Sequence, residues 1–245
     1  MVGRQMIDYI ITIYQNYDLL QLQLMNFRRR LSLCEYRLII VDNTPLGKKQ
    51  TIQIDPQINH LILPIEFPYS FDAASHGSAI DYGLTYASTP IVAILDSDFF
   101  ILHNDIHDYV DHVFSQGFKA VGCEYNDGEH TKNWVKITPK NFENIPCCFG
   151  AYYTRELATS ASWALFQNEI DCSTAFVETG AKIRRHILNN NVKTMNWKTN
   201  AHECGMCYFK DQEHTMGMHY LAGSHRRWNS TSFAEIQNVI ETDYN

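Results

Sequence analysis

A repeated alternation restricts this chain more than anything else in it: a wholly apolar run, an amphipathic stretch, then another apolar run. Ile7 to Tyr14 is almost continuous in apolar and β-branched residues, the pattern of a strand buried on both faces. After it, Asp18 is placed to cap a helix whose apolar positions Leu20, Leu24, Phe27 and Leu31 recur at helical spacing. Tyr36 to Asp42 reads as a second buried strand that closes on a carboxylate, and Asn43 to Gly47 as a turn. Strand, helix and strand within about 35 residues form a βαβ unit, which commits the sheet to parallel pairing with right-handed crossovers.

The alternation continues through a short third strand, Leu61 to Leu63, and a helix over Ser75 to Ala87 that Ser75 can cap. Gly83 on that helix allows close packing on the sheet. After Pro90 comes the most apolar strand, Ile91 to Leu95, which runs directly into Asp96-Ser97-Asp98. Beyond it the pattern loosens. Helices are expected over Asp105 to Phe114, Thr154 to Phe166, Thr179 to Leu188 and Ser232 to Ile240, and strands over Ala120 to Tyr125, Val192 to Trp197 and Met216 to Leu221. No Pro-rich linker divides the chain, so residues 1–245 read as one domain, with a regular half at about 1–125 and a looser one at about 126–245.

Composition removes several classes. With 245 residues and 45% apolar content the chain can bury a core without staples, and it is not disordered. Twenty basic against 27 acidic residues give a net charge of −7, which disfavours a dedicated nucleic-acid binder. The seven cysteines are odd in number and irregularly spaced, as expected of reduced thiols. Cys204 and Cys207 form a CxxC beside His202, but without a second such pair they read as buried or incidental rather than as a zinc site. No apolar run is long enough to span a bilayer, and the N-terminus reads as a strand, not a signal peptide; a soluble cytoplasmic protein is expected.

The chemistry is concentrated at Asp96 and Asp98. Side chains at i and i+2 of an extended backbone share a side, so the two carboxylates should converge outside the carboxyl end of a parallel strand. Open α/β sheets bind ligands at that edge. Two adjacent carboxylates repel unless a cation lies between them, and a divalent ion with oxygen preference fits. A turn whose aspartates cap the next helix is the simpler reading, but it leaves the apolar flanks Leu95, Phe99, Phe100 and Ile101 unexplained.

At these residues the chain resembles the GT-A fold glycosyltransferases of the family-2 type. The matching pieces are IITIYQN, LIIVDNT, and the stretch from Ser75 to Phe100 with Gly77, Ala79, Asp81, Gly83, Ala87 and the Asp-x-Asp. Asp81 stands where Asn is usual. The resemblance implies an α/β fold, a single Rossmann-like α/β/α sandwich with a mostly parallel central sheet. It also implies that residues 1–125 bind a nucleotide sugar and 126–245 the acceptor. Thr12 and Tyr14 would line the base pocket, and Asp42 would accept from the base or ribose, although a turn-starting Asp accounts for Asp42 equally well. Asp96 would contact ribose or metal, and Asp98 would hold the metal that neutralises the diphosphate.

A late histidine completes the metal shell in many such enzymes, and His219 fits that place; an imidazole ligand favours Mn²⁺ over Mg²⁺. Gly223 would let backbone approach the diphosphate, with Ser224 donating to an oxygen and Arg226 or Arg227 supplying charge. Glu178 resembles the general base of inverting members, with Asp171 in reserve, while helix capping explains Glu178 as well. Trp134, Tyr152, Tyr153 and Trp163 form a candidate acceptor platform, large aromatics being more often core. Arg28-Arg29-Arg30 reads as a solvated helix end.

These readings converge on a metal-dependent glycosyltransferase that moves a sugar from a nucleoside diphosphate sugar, expected to be a UDP-sugar, to a glycan or other hydroxyl acceptor, with inversion. The alternatives are a sugar-nucleotide nucleotidyltransferase, which would show a Gly-rich basic loop where Gln15-Asn16-Tyr17-Asp18 stands, and a non-catalytic nucleotide-sugar-binding module.

Overall fold

A computed structural model describes residues 5–68, 72–124, 145–166, 179–203, 206–212, 214–220 and 233–242. The first half is the expected parallel sheet. Strands β1 (Ile7–Ile13), β2 (Tyr36–Asp42), β3 (His60–Pro64) and β4 (Ile91–Asp96) stand in the order β3-β2-β1-β4, all parallel. Strand parity sorts the core onto two faces. Odd positions such as Tyr9, Ile11, Ala93 and Leu95 pack with Leu20, Leu24 and Phe27 of helix α1 (Tyr17–Arg30) and with Val110 of α3 (Ile106–Ser115). Even positions such as Ile10, Val92 and Ile94 pack with Ala79, Ile80 and Leu84 of α2 (Asp72–Leu84), Leu157 of α4 (Arg155–Ala158) and Ile183 of α5 (Ala181–Asn189). Gly83 has the predicted role, since a Cβ there would lie 2.8 Å from Ile10 Cγ2.

Past β4 the sheet changes character. It continues through β7 (Gly150–Thr154), β6 (Ala120–Cys123), β8 (Thr194–Glu203), β9 (Met206–Asp211), β10 (His214–Tyr220) and β5 (Phe99–Ile101), and among these pairs only β6 with β8 is parallel. The mostly parallel sheet expected from the sequence is thus its core, and an antiparallel flank is added. The last helix, α6 (Phe233–Glu241), packs Ile236 and Ile240 with Leu19 and Leu22 of α1 and Met218 of β10.

Several local expectations are corrected. Asn16, not Asp18, is the N-cap of α1, and Asp18 lies in the first turn, where its charge suits the dipole. Ser75 lies inside α2, which begins at Asp72, and its hydroxyl accepts from Asn43 Nδ2 at 2.7 Å. The helix foreseen over Thr154 to Phe166 stops at Ala158, because the Thr159 and Ser160 hydroxyls bond back to Arg155 O (2.9 Å) and Leu157 O (2.7 Å) and Asp81 captures the next segment. Arg30 is not solvated: it is 3% exposed and ties Asn104 and the carbonyls of Ile240 and Thr242 to α1. Tyr152, Tyr153 and Trp163 are core residues, each at most 1% exposed, so none can stack on an acceptor; Trp134 lies outside the described residues.

Cys34, Cys123, Cys147, Cys148 and Cys207 form no disulfide with one another, and Cys172 and Cys204 lie outside the described residues. Burial pushes the Cys207 thiol up to about 12, the opposite of what a zinc thiolate needs. Among the described residues no helix is long and apolar enough to cross a membrane.

Candidate functional site

Three strands end together. The register pairs Thr12 with Asp96 across β1 and β4 and Ile13 with Asp42 across β1 and β2, so the carboxyl edge carries Thr12, Asp42 and Asp96 side by side. Asp96 closes β4, and Ser97 and Asp98 turn the chain into β5. The extended-strand argument therefore fails at Asp98, which lies in a turn. The two carboxylates converge for another reason, which is the way the turn is held.

That turn is fixed from three sides. Gln23 on α1 donates from Nε2 to Asp96 O (2.8 Å) and Phe99 O (2.7 Å), and Asn26, one turn on, pairs with both backbone groups of Ile101 (2.7 and 2.9 Å). The Phe99 ring fills the space above two glycines: a Cβ on Gly150 would stand 2.5 Å from it and one on Gly217 2.3 Å. Antiparallel pairing of β5 with β10 then sets His219 opposite Phe99, and Tyr220 N donates to Asp98 O at 3.0 Å. A residue 121 positions away is thereby fixed beside the Asp-x-Asp, with His219 Nε2 3.1 Å from Asp98 Oδ1.

One donor atom from each of Asp96, Asp98 and His219 lies within 4.8 Å of the others. Phe149 stacks on the His219 ring (4.2 Å between centroids, 6° between planes) and sets its orientation. Among the described residues His219 Nδ1 is buried with no hydrogen-bond partner, and the buried Asp96 Oδ1 meets only an imidazole, that of His76 at 3.0 Å. Two carboxylates and an imidazole with one unpartnered nitrogen are the donor set a divalent cation takes. The residues present fit such an ion.

A fourth polar residue, His76 of α2, was not foreseen. Its Nε2 stands 2.8 Å from Thr12 Oγ1 and 3.0 Å from Asp96 Oδ1, and its Nδ1 3.3 Å from Thr179 Oγ1. Burial works against the charged imidazole and is the largest influence on it, but the Asp96 carboxylate outweighs burial and raises His76 to about 9. His219 is raised in the same sense, burial opposing and Asp98 prevailing. The Asp96 carboxyl is correspondingly held below its ordinary range: burial would raise it, and His76 and then His219 lower it.

The other predicted residues take distinct places. Tyr14 lies just beyond β1 and is 54% exposed. Asp42 is 2% exposed and already engaged: Tyr17 Oη donates to Oδ2 (2.9 Å), Thr44 N to Oδ1 (3.0 Å), and Lys49 Nζ is 3.6 Å from Oδ1. It shapes the 43–49 turn as well as edging the site. Asp81 braces rather than binds, accepting from Ser162 Oγ (2.6 Å) and Trp163 N (2.8 Å). Glu178, Asp171, Gly223, Ser224, Arg226 and Arg227 lie outside the described residues. Gln23 and Asn26 had one sequence signal, two amides three apart on the apolar stripe of α1.

The sequence matches no protein-family model and no curated protein sequence at a significant level. Solved structures do resemble it. Glucosyl-3-phosphoglycerate synthase from Mycobacterium tuberculosis, in complex with Mn²⁺ and uridine-diphosphate-glucose, aligns with a TM-score of 0.52 at 15% identity over 81% of this chain and 71% of that one. A mannosyltransferase from Pyrobaculum calidifontis, in complex with GDP-Man and Mn²⁺, aligns with a TM-score of 0.44 at 17% identity, over 64% of this chain and 46% of that one. TarS from S. aureus gives 0.45 at 12% identity, over 69% and 32%. This chain thus spans less than half of the latter two. The likeness to the synthase shows that the fold is that of the GT-A glycosyltransferases.

Proposed function

We propose that the chain is a glycosyltransferase that moves a sugar from a nucleoside diphosphate sugar, a UDP-sugar in the first instance, to a hydroxyl acceptor with inversion. The observation that carries the reading is the cluster of Asp96, Asp98 and His219, one ligand atom from each within 4.8 Å of the others, at the carboxyl edge of the parallel strands of a GT-A fold. The Mn²⁺ and sugar nucleotide bound to the structural neighbour are consistent with it. Fold alone does not fix an activity, so the weight rests on the site.

Asp98 and His219, with Asp96, would hold a divalent cation, Mn²⁺ rather than Mg²⁺ because an imidazole takes part. Such an ion supplies Lewis-acid neutralisation of the departing diphosphate. Thr12, Tyr14 and Asp42 border the place for the nucleoside, with Tyr14 exposed for stacking on the base. Ser224 and Arg227, on the segment that follows β10, donate to the diphosphate oxygens. Glu178 takes the proton from the acceptor hydroxyl as that oxygen attacks the anomeric carbon. Contact of the next residue, Thr179, with His76 is consistent with that role.

The reading is tested by release of nucleoside diphosphate from a panel of UDP-, GDP- and dTDP-sugars in the presence of Mn²⁺. Release from at least one sugar nucleotide, abolished by EDTA, is expected; no release from any of them contradicts the reading. Glu178→Gln should retain donor binding and lose transfer, and normal turnover in that variant would move the base elsewhere.

A further inference from the structure

We propose that His76 is a positioning residue that fixes the Asp96 carboxylate for cation binding and thereby sets the affinity of the site, an inference that rests on the metal reading above. The site holds two histidines, each about one hydrogen bond from an aspartate: His76 Nε2 is 3.0 Å from Asp96 Oδ1 and His219 Nε2 is 3.1 Å from Asp98 Oδ1. They differ in what else they touch. Among the described residues His219 Nδ1 is buried without a hydrogen bond, so it has a nitrogen to offer. His76 has both nitrogens committed, Nε2 to Thr12 Oγ1 at 2.8 Å as well as to Asp96, and Nδ1 to Thr179 Oγ1 at 3.3 Å.

The backbone beneath His76 is also pinned. A Cβ on Gly77 would lie 2.4 Å from Ala164 Cα and from Trp163 O, so α2 is in direct contact with the 163–164 segment. Asp81, one turn along, accepts from Trp163 N at 2.8 Å and locks the same contact. The even-numbered face that carries Ile10 and Ile94 into α2 carries Thr12 and Asp96 with it, which is why a residue of α2 reaches both. His76 therefore joins four elements at one carboxylate: α2 itself, β1 through Thr12, β4 through Asp96 and the entry to α5 through Thr179. A carboxylate engaged at one oxygen by a fixed donor has its other oxygen aimed, and loss of such an outer partner typically weakens metal binding by about 10–100-fold.

The test is Mn²⁺ affinity of the metal-free protein, measured by titration calorimetry and by the electron paramagnetic resonance signal of free Mn²⁺, with no sugar nucleotide present. His76→Ala should weaken binding by about 10–100-fold. His76→Gln, which keeps an N–H donor, should recover part of the loss, and Thr179→Val, which removes only the Nδ1 partner, should show a smaller loss in the same direction. Melting in EDTA establishes that each variant folds; should His76→Ala not fold, the ordering of the other two decides. Unchanged affinity in a folded His76→Ala, or in both other variants, overturns the role of His76 alone. Tighter binding overturns it too, since His76 would then compete with the cation. Wild-type protein that fails to bind Mn²⁺ overturns the metal reading and this inference with it.

Discussion

Asp8 and Asp96 lie on the same face of the parallel sheet at opposite ends, and the protein treats them differently. Asp8 is fully buried, and its oxygens receive Arg37 Nε and Nη2 (2.8 and 2.9 Å), Ser88 N (2.7 Å) and Thr89 N (3.0 Å). Burial would raise its carboxyl, but Arg37 and the two amides hold it below the ordinary value. Asp96 has His76 on one side and Asp98 and His219 on the other, and among the described residues the buried His219 Nδ1 has no hydrogen bond. A buried acid with every lone pair answered is part of the framework; two carboxylates gathered beside an imidazole with a bare nitrogen are an opening for a ligand. The amino end of the sheet is closed chemistry and the carboxyl end is unfinished chemistry.

Reciprocal substitutions break this comparison if it is wrong. Asp98→Asn should weaken Mn²⁺ binding by more than about 100-fold, beyond the effect of losing an outer partner, as read by calorimetry. Its metal-free melting temperature should fall far less than that of Asp8→Asn. For Asp8→Asn, Arg37 is left facing an amide in place of its buried counter-ion, and a loss of about 3 kcal/mol is expected. For a chain of this size that is roughly 6–12 °C in melting temperature, with Mn²⁺ affinity unchanged. An Asp98→Asn protein that loses stability but keeps its cation would invert the assignment of the two ends.

A smaller effect separates the ends by pH. A histidine raised in the folded state contributes stability that is complete below its unfolded value and lost as pH rises through the folded one. The metal-free protein should therefore weaken as pH rises from about 6.5 to about 9, where His76 loses its proton. Asp8 has the opposite sign: its contribution is present above the unfolded carboxylate value and disappears as pH falls below it. Melting temperatures from pH 3 to 10 should show both slopes, with the alkaline one flattened in His76→Gln.

The parallel half was legible because each strand is a buried apolar run and each helix has a regular stripe, so period alone separates them. The Asp-x-Asp was legible for the same reason, since a strand that apolar cannot end in two acids without purpose. The antiparallel flank was not. Strands β5 and β7 are short, at Phe99–Ile101 and Gly150–Thr154, and they form because Gly150 and Gly217 admit one phenyl ring, a pairing that no local pattern announces. His219 could be named only by resemblance, because its place beside Asp98 is created by the β5–β10 register. His76 had no signal at all: it reads as one polar residue on a helix until strand parity brings Thr12 and Asp96 beneath it.

The central claim is that the unfinished end is completed by a divalent cation together with a nucleoside diphosphate sugar. Thermal melting with Mn²⁺, with UDP-glucose and other sugar nucleotides singly, and with each pair tests it most directly. The account predicts that Mn²⁺ with one sugar nucleotide raises the melting temperature by more than the sum of the separate shifts, and that Asp98→Ala abolishes the joint gain. Equal stabilisation of the Asp98→Ala protein, or no joint gain with any sugar nucleotide, would contradict it.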